Sequence, residues 1–427
     1  MTQEITKISV LNPQTESKTA ERRHDLDLLR GMALLVMVIG HNVRIGWTAT
    51  SYAQLILATF GELFSALFML VSGMNVLNFY YKAILIPGFK STRFYVKSAI
   101  YLFFLGYTYN IIVGTFGSMD IIQSMALGIL TVYLLLIAKT PNWLVGVITA
   151  MFFVTGILAF GNGMILNPEV KSNFFFHYLI SDGEITPESV RGMIPGRYLF
   201  MLFGPIPWIG YFTLGLFLER LKKWPRIAIG LLCLGLAVAA VFLPMIDGET
   251  RTVIGFKTNT RYIFQTTGLF GLWFLLFKLV YKGKNRFGRF LEGWGVLSLI
   301  ILMFHWFYIM IYSMIAAPIA IVLTGGLGSP NVYRWIRAFF VFVTVLFTVK
   351  PIAAIQAKWM KHPKFEFRAK VFLIGGFVLF LLGLRLASAG ISRGRFFAFV
   401  GSYMAAWSFT FLYPYLRTKW RKECMPA

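Results

Sequence analysis

The sequence predicts an all-α fold, a polytopic integral membrane bundle of about ten to twelve helices around a central tunnel. Three observations lead there. Hydrophobic residues make up 57% of the chain against 14% charged, with a mean hydropathy of +0.69, a balance that excludes an ordinary soluble domain. Apolar runs of spanning length recur from end to end, with no stretch left over for a separate soluble domain. The basic residues gather in alternate short loops, as the positive-inside rule requires of a multi-pass protein.

The runs fall near 26–45, 53–80, 95–115, 121–138, 142–161, 197–218, 227–246, 262–281, 292–315, 334–357, 370–388 and 396–416, which is about twelve segments. With the N-terminus placed in the cytoplasm, most of the 41 Lys and Arg residues fall on the inner side, as in Arg220, Lys222, Lys223 and Arg226. Moving the register by one helix spoils that asymmetry, so an even helix number and cytoplasmic termini support each other. Residues 1–25 read as a cytoplasmic tail, 26–416 as the membrane domain and 417–427 as a basic cytoplasmic tail. The polar start and the lack of a small-residue cleavage pattern mark the first run as a retained helix, not a signal peptide. The pattern fits the cytoplasmic membrane of a prokaryote.

The net charge of +24 is accounted for by those loops, so no nucleic-acid partner is expected. The two cysteines, Cys233 and Cys424, make neither a disulfide framework nor a metal site. Glycine loops of the Walker type, zinc spacings, nucleophile elbows and kinase signatures are absent from the sequence; no metal is expected. One connection is long. It runs from Gly161 to Gly196 on the outer side, with Glu169, His177, Asp182, Glu184, Glu188 and Arg191, and it is either functional or a solvated loop.

Chemistry concentrates in the first apolar segment, Leu26 to Asn42, which carries Asp27, Arg30 and His41. Ionisable groups at membrane depth are costly unless they face a polar cavity or a partner. Arg30 and His41 are eleven residues apart, three helical turns plus about 20°, so they share one face at a separation of roughly 16 Å along the axis. The second helix brings Glu62 to a similar depth from the opposite side. A carboxylate that holds one ring nitrogen of His41 would fix the tautomer and leave the other nitrogen as a general base. A satisfied helix–helix contact is the plainer alternative for both. Arg30, aimed by Asp27 three residues earlier, suits a phosphate of a cytoplasmic ligand, or else a snorkelling interfacial cation. The separation from Arg30 to His41 fits a long, thin donor such as an acyl-CoA. Ser72, beside Gly73, and His305, in a later apolar helix, are further candidates for contact with that donor, with helix packing as the alternative.

Together these residues carry a resemblance. The pattern D-x-x-R-G-x-A with a following His, here Asp27, Arg30, Gly31, Ala33 and His41 in R-x10-H spacing, resembles the first helix of the acyltransferase-3 family and its wider superfamily, which includes the heparan-alpha-glucosaminide N-acetyltransferase-type enzymes. E-L-F-x-x-L-F-M-L-V-S-G in the second helix is similar to the F-x-x-x-S-G element of that group, and its Glu62 resembles that of the glucan succinyltransferase branch. PIPWIGYFTLGLFLERL at Pro205–Leu221 and LEGWGVLSLIILMFHW at Leu291–Trp306 are looser matches. The paired arginines usual before the third helix are replaced by STRFYVKS, with Arg93 and Lys97. The resemblance implies transfer of an acyl group, usually acetyl, from cytoplasmic acyl-CoA to a hydroxyl or amine of an extracytoplasmic acceptor, a glycan or small molecule. His41 would then be the catalytic histidine and Arg30 the basic member of the pair. The alternative from another class is a transporter or flippase for a glycan or small polar substrate, with His41 and Glu62 as a proton relay.

Overall fold

A computed structural model describes residues 23–44, 52–113, 121–161, 205–221, 227–229, 231–232, 235, 286–324, 330–391 and 393–425. These residues are helical, joined by short turns, with no strand among them. In order the helices are α1 (His24–Arg44), α2 (Tyr52–Ile84), α3 (Ser91–Val113), α4 (Ile121–Ile137), α5 (Asn142–Gly161), α6 (Pro205–Arg220), α7 (Arg286–Val296), α8 (Ser298–Leu323), α9 (Pro330–Met360), α10 (Phe365–Ser388) and α11 (Arg393–Glu423). The apolar runs expected near 227–246 and 262–281 lie mostly outside the described residues, and the long outer connection lies outside them from residue 162 on.

Among the described residues, three helical stretches are long and apolar enough to cross a membrane: Val332–Met360, Phe365–Ala387 and Phe396–Glu423. A fourth is obtained if α7 and the first part of α8 form one span, bent by 84°. Their outer faces are what lipid requires. Phe347, Phe372, Ile374 and Leu381 are each more than half exposed, whereas a soluble protein rarely shows apolar surface in such continuity.

Inside, α1 is the hub. It packs on α2, α7, α8 and α9, while α6 bridges α2, α4 and α5 and α10 pairs with α11. Two close crossings explain glycines that sit in the sequence motifs. A side chain on Gly31 would overlap the Leu291 carbonyl of α7, and one on Gly295 would overlap the Asp27 carbonyl of α1. Between α2 and α6 the same relation holds reciprocally: Gly73 meets the Phe212 carbonyl and Gly215 the Leu70 carbonyl. Small residues that let backbones touch are how helices associate where lipid removes the hydrophobic drive.

The segment expected as a C-terminal tail is helical over its first seven residues. From residue 417 the chain continues α11 to Glu423, and Cys424 beyond it is fully buried. The basic run stays helical because its side chains find partners: Lys419 pairs with Glu366 at 2.8 Å, Glu423 with Lys97 at 2.8 Å, and Arg417 lies 5.7 Å over the Phe79 ring. At the other end, α1 begins at His24, two residues before the expected start. Arg23 anchors that start through Asp25 at 2.8 Å and Glu219 of α6 at 2.6 Å. Burial alone pulls the Arg23 guanidinium down, but its bonds to the two carboxylates outweigh this and raise it above its ordinary value.

Candidate active site

A cavity of about 470 Å³ opens between α1, α2, α3, α4, α8 and α11. Its cations come from three helix ends that meet at one side of the bundle: Arg23 and Arg30 at the start of α1, Lys82 at the end of α2 and Arg417 near the end of α11. Phe79, Phe94 and Tyr95 stand among them, and further in the walls turn apolar with Phe68, Leu102, Ile122 and Leu302. Periodicity accounts for this. Arg23, Asp27 and Arg30 recur at four and three residues, so α1 presents them on one face, and Ser72, Asn75, Phe79 and Lys82 do the same on α2.

Asp27 and Arg30 both line the cavity. Arg30 Nη1 donates to Asp27 Oδ1 at 3.4 Å and to the Gly295 carbonyl at 3.3 Å, so α7 as well as Asp27 sets the direction of the guanidinium. Ser72 lines the cavity too, with its hydroxyl donating back to the Phe68 carbonyl at 2.7 Å. Asn75 adds a buried amide Nδ2 that has no hydrogen-bond partner among the described residues. Lys97, one of the two cations left in STRFYVKS, is committed to Glu423 and does not line the cavity.

His305 is not part of that lining. It is fully buried, and its Nε2 lies 3.0 Å from Nδ1 of His41. The Leu302 side of the cavity wall is one helical turn away, about 4.5 Å along α8. Two contacts decide where the protons sit. His305 Nδ1 is 3.0 Å from the Ile301 carbonyl, and a carbonyl can only accept, so that nitrogen carries the hydrogen. His305 Nε2 is then the acceptor and His41 Nδ1 the donor. The lone pair of neutral His41 is left on Nε2.

His305 meets Nδ1 of His41; Glu62 belongs to the helical run of α2, and its expected contact with His41 falls on a side chain outside the described residues. The sequence offered His305 as a donor contact or a helix-packing residue, and the contact with His41 is of the second kind, because nothing local to either helix says which helices touch. The two imidazoles stack with centroids 5.3 Å apart, and Trp306 closes the group at 5.1 Å from His41. Trp306, Lys82 and Arg417 were missed as site residues. A tryptophan next to a buried histidine, in FHW, was the available signal for the first; nothing local marks the other two.

His41 is not among the residues that line the cavity. It is partly exposed, while the imidazole beside it is fully buried. Among the described residues no group of three or more His, Cys, Asp or Glu side chains could hold a metal ion. Compared with family models and with curated proteins, the chain matches none.

Proposed function

We propose that this chain is an integral membrane acyltransferase that moves an acyl group, acetyl in the simplest case, from cytoplasmic acyl-CoA to a hydroxyl or amine of an extracytoplasmic acceptor, a glycan or small polar molecule. The observation that carries the reading is the ordered pair His41–His305. It leaves one imidazole nitrogen with a defined lone pair beside a second, buried ring, which is what a general base needs. The R-x10-H resemblance of the first helix supports the same assignment.

On this reading the basic end of the cavity faces the cytosol and receives the phosphates of the donor. Arg30, Lys82 and Arg417 supply charge, and the planar guanidinium of Arg30, held by Asp27 and the Gly295 carbonyl, supplies direction. The amide of Asn75 suits a donor arm that carries carbonyl groups. This reading requires a passage from the Leu302 end of the cavity to His41, within a bundle of ten to twelve spanning helices with both ends inside the cell. His41 Nε2 takes the proton of the acceptor as its oxygen or nitrogen attacks the thioester carbon. The imidazolium then formed is held by its Nδ1–H bond to neutral His305, a bond that becomes charge-assisted at that moment. His41 returns the proton to the thiolate as the C–S bond breaks.

Inside-out membrane vesicles from cells producing the chain, given acetyl-CoA labelled in the acetyl group, test this. Label on a membrane or lumenal acceptor, lost with His41→Ala, is the expected result. Glycan flux that needs no acyl-CoA, with no labelled product, would instead make the chain a carrier and end the enzymatic reading.

A further inference from the structure

Trp306 holds an N–H group without a partner, in a place where partners are nearly always found. Its Nε1 is shut off from solvent and meets no acceptor among the described residues. A donor buried that way keeps its desolvation cost uncompensated, and native folds keep few of them. The indole is also held in place. Its ring lies 5.1 Å from that of His41 and 5.6 Å from that of His305, and Tyr109 meets it edge-on at 6.4 Å. Trp407 has an equally unmated Nε1, but it stacks on Phe304 at 5.1 Å and meets Phe307 at the same distance. What sets Trp306 apart is that its indole touches the imidazole assigned as base.

We propose that the Trp306 Nε1–H is a catalytic hydrogen-bond donor to the carbonyl oxygen of the acyl group. The inference rests on the acyl-transfer reading of His41. When the acceptor oxygen bonds to the thioester carbon, its proton passes to His41 Nε2 and the π electrons of the carbonyl move onto oxygen. That oxygen, negative for the life of the tetrahedral species, takes the hydrogen bond that the resting protein leaves unmade. Collapse re-forms the carbonyl, expels the thiolate, and the proton on His41 goes to sulfur. Ester and thiol account for every atom of the alcohol and thioester. A donor fixed before the reaction and unpaired in the ground state favours the transition state selectively, because nothing has to be broken to free it.

The test replaces Trp306 in the full chain by 3-benzothienylalanine, which keeps the outline of the indole and lacks the N–H, alongside Trp306→Phe. Initial rates of acetyl transfer are measured in inside-out vesicles, which carry the cell's own acceptors, as a function of acetyl-CoA concentration. The maximal rate of the benzothienyl variant should fall by about 10²–10³-fold. Its half-saturating acetyl-CoA concentration and the pH of half-maximal rate should stay near wild type. A wild-type rate with the benzothienyl side chain overturns the proposal and leaves His41 as base, even if Trp306→Phe is inactive through poor folding. No transfer by the wild-type chain itself overturns both this inference and the reading beneath it.

Discussion

His41 Nδ1 and His305 Nε2 stand 3.0 Å apart, a bond that joins α1 to α8 across 264 positions of sequence. Because His305 is pinned in turn to the Ile301 carbonyl, the polarity of the whole chain of bonds is set by a backbone group that can only accept. The tautomer of His41 is thus set by the fold, not by the identity of His41.

His41→Ala should reduce acyl transfer by about 10²–10⁴-fold, the usual cost of removing a positioned general base. The variant should insert and elute from a sizing column as the wild type does. Turnover near the wild-type rate would remove His41 from the mechanism.

In the proposed mechanism His305 acts through His41, so its replacement separates orientation from packing. His305→Gln keeps a carbonyl that can accept from His41 Nδ1; His305→Phe keeps bulk and loses the acceptor. The Phe variant should lose at least about tenfold more in kcat than the Gln variant, since a mis-set tautomer at a catalytic histidine is costly. The KM for acyl-CoA should move little in either, because His305 does not line the cavity. Equal activity of the two variants would show the ring to be a filler.

Arg30→Ala should weaken acyl-CoA binding by about tenfold or more, as loss of a charged hydrogen bond of about 1.5–3 kcal/mol implies. Arg30→Lys should recover only part of it, having no fork to share between Asp27, the Gly295 carbonyl and a phosphate. Arg417→Ala should weaken binding in the same direction. Calorimetry on the purified protein with acetyl-CoA reads all three, and undiminished binding in Arg30→Ala would move the phosphate site elsewhere.

Gly31→Ala should destabilise the protein although it adds one methyl group. The added carbon would collide with the Leu291 carbonyl, and overpacking of that kind costs about 1–3 kcal/mol. Thermal unfolding in detergent should show a lowered midpoint. Because α7 also carries the Gly295 carbonyl that receives Arg30, acyl-CoA affinity should fall with it; an unchanged midpoint would mean that the crossing has room for a methyl group at Gly31.

Helix positions were legible in the sequence where the signal is local. The runs at 53–80, 121–138 and 142–161 match α2, α4 and α5 closely, because a stretch apolar enough for lipid and bounded by Pro, Gly or charge reports its own limits. The ends were read less well. Apolar content falls away before residue 417, yet α11 runs on to Glu423, held by ion pairs to Glu366 and Lys97 that come from other helices.

Within α1, the sequence determined by itself that Asp27 and Arg30 face one way and that Arg30 and His41 share a side, because 100° per residue leaves no other outcome for a straight helix. Only the tertiary structure decided what those side chains meet. The crossing at Gly31 and Gly295 brings a backbone carbonyl to Arg30; the packing of α8 on α1 gives His41 an imidazole partner; the end of α11 puts Arg417 in the cavity wall. Periodicity is a property of neighbours along the chain, whereas a hydrogen bond between residues 264 apart depends on how whole helices cross.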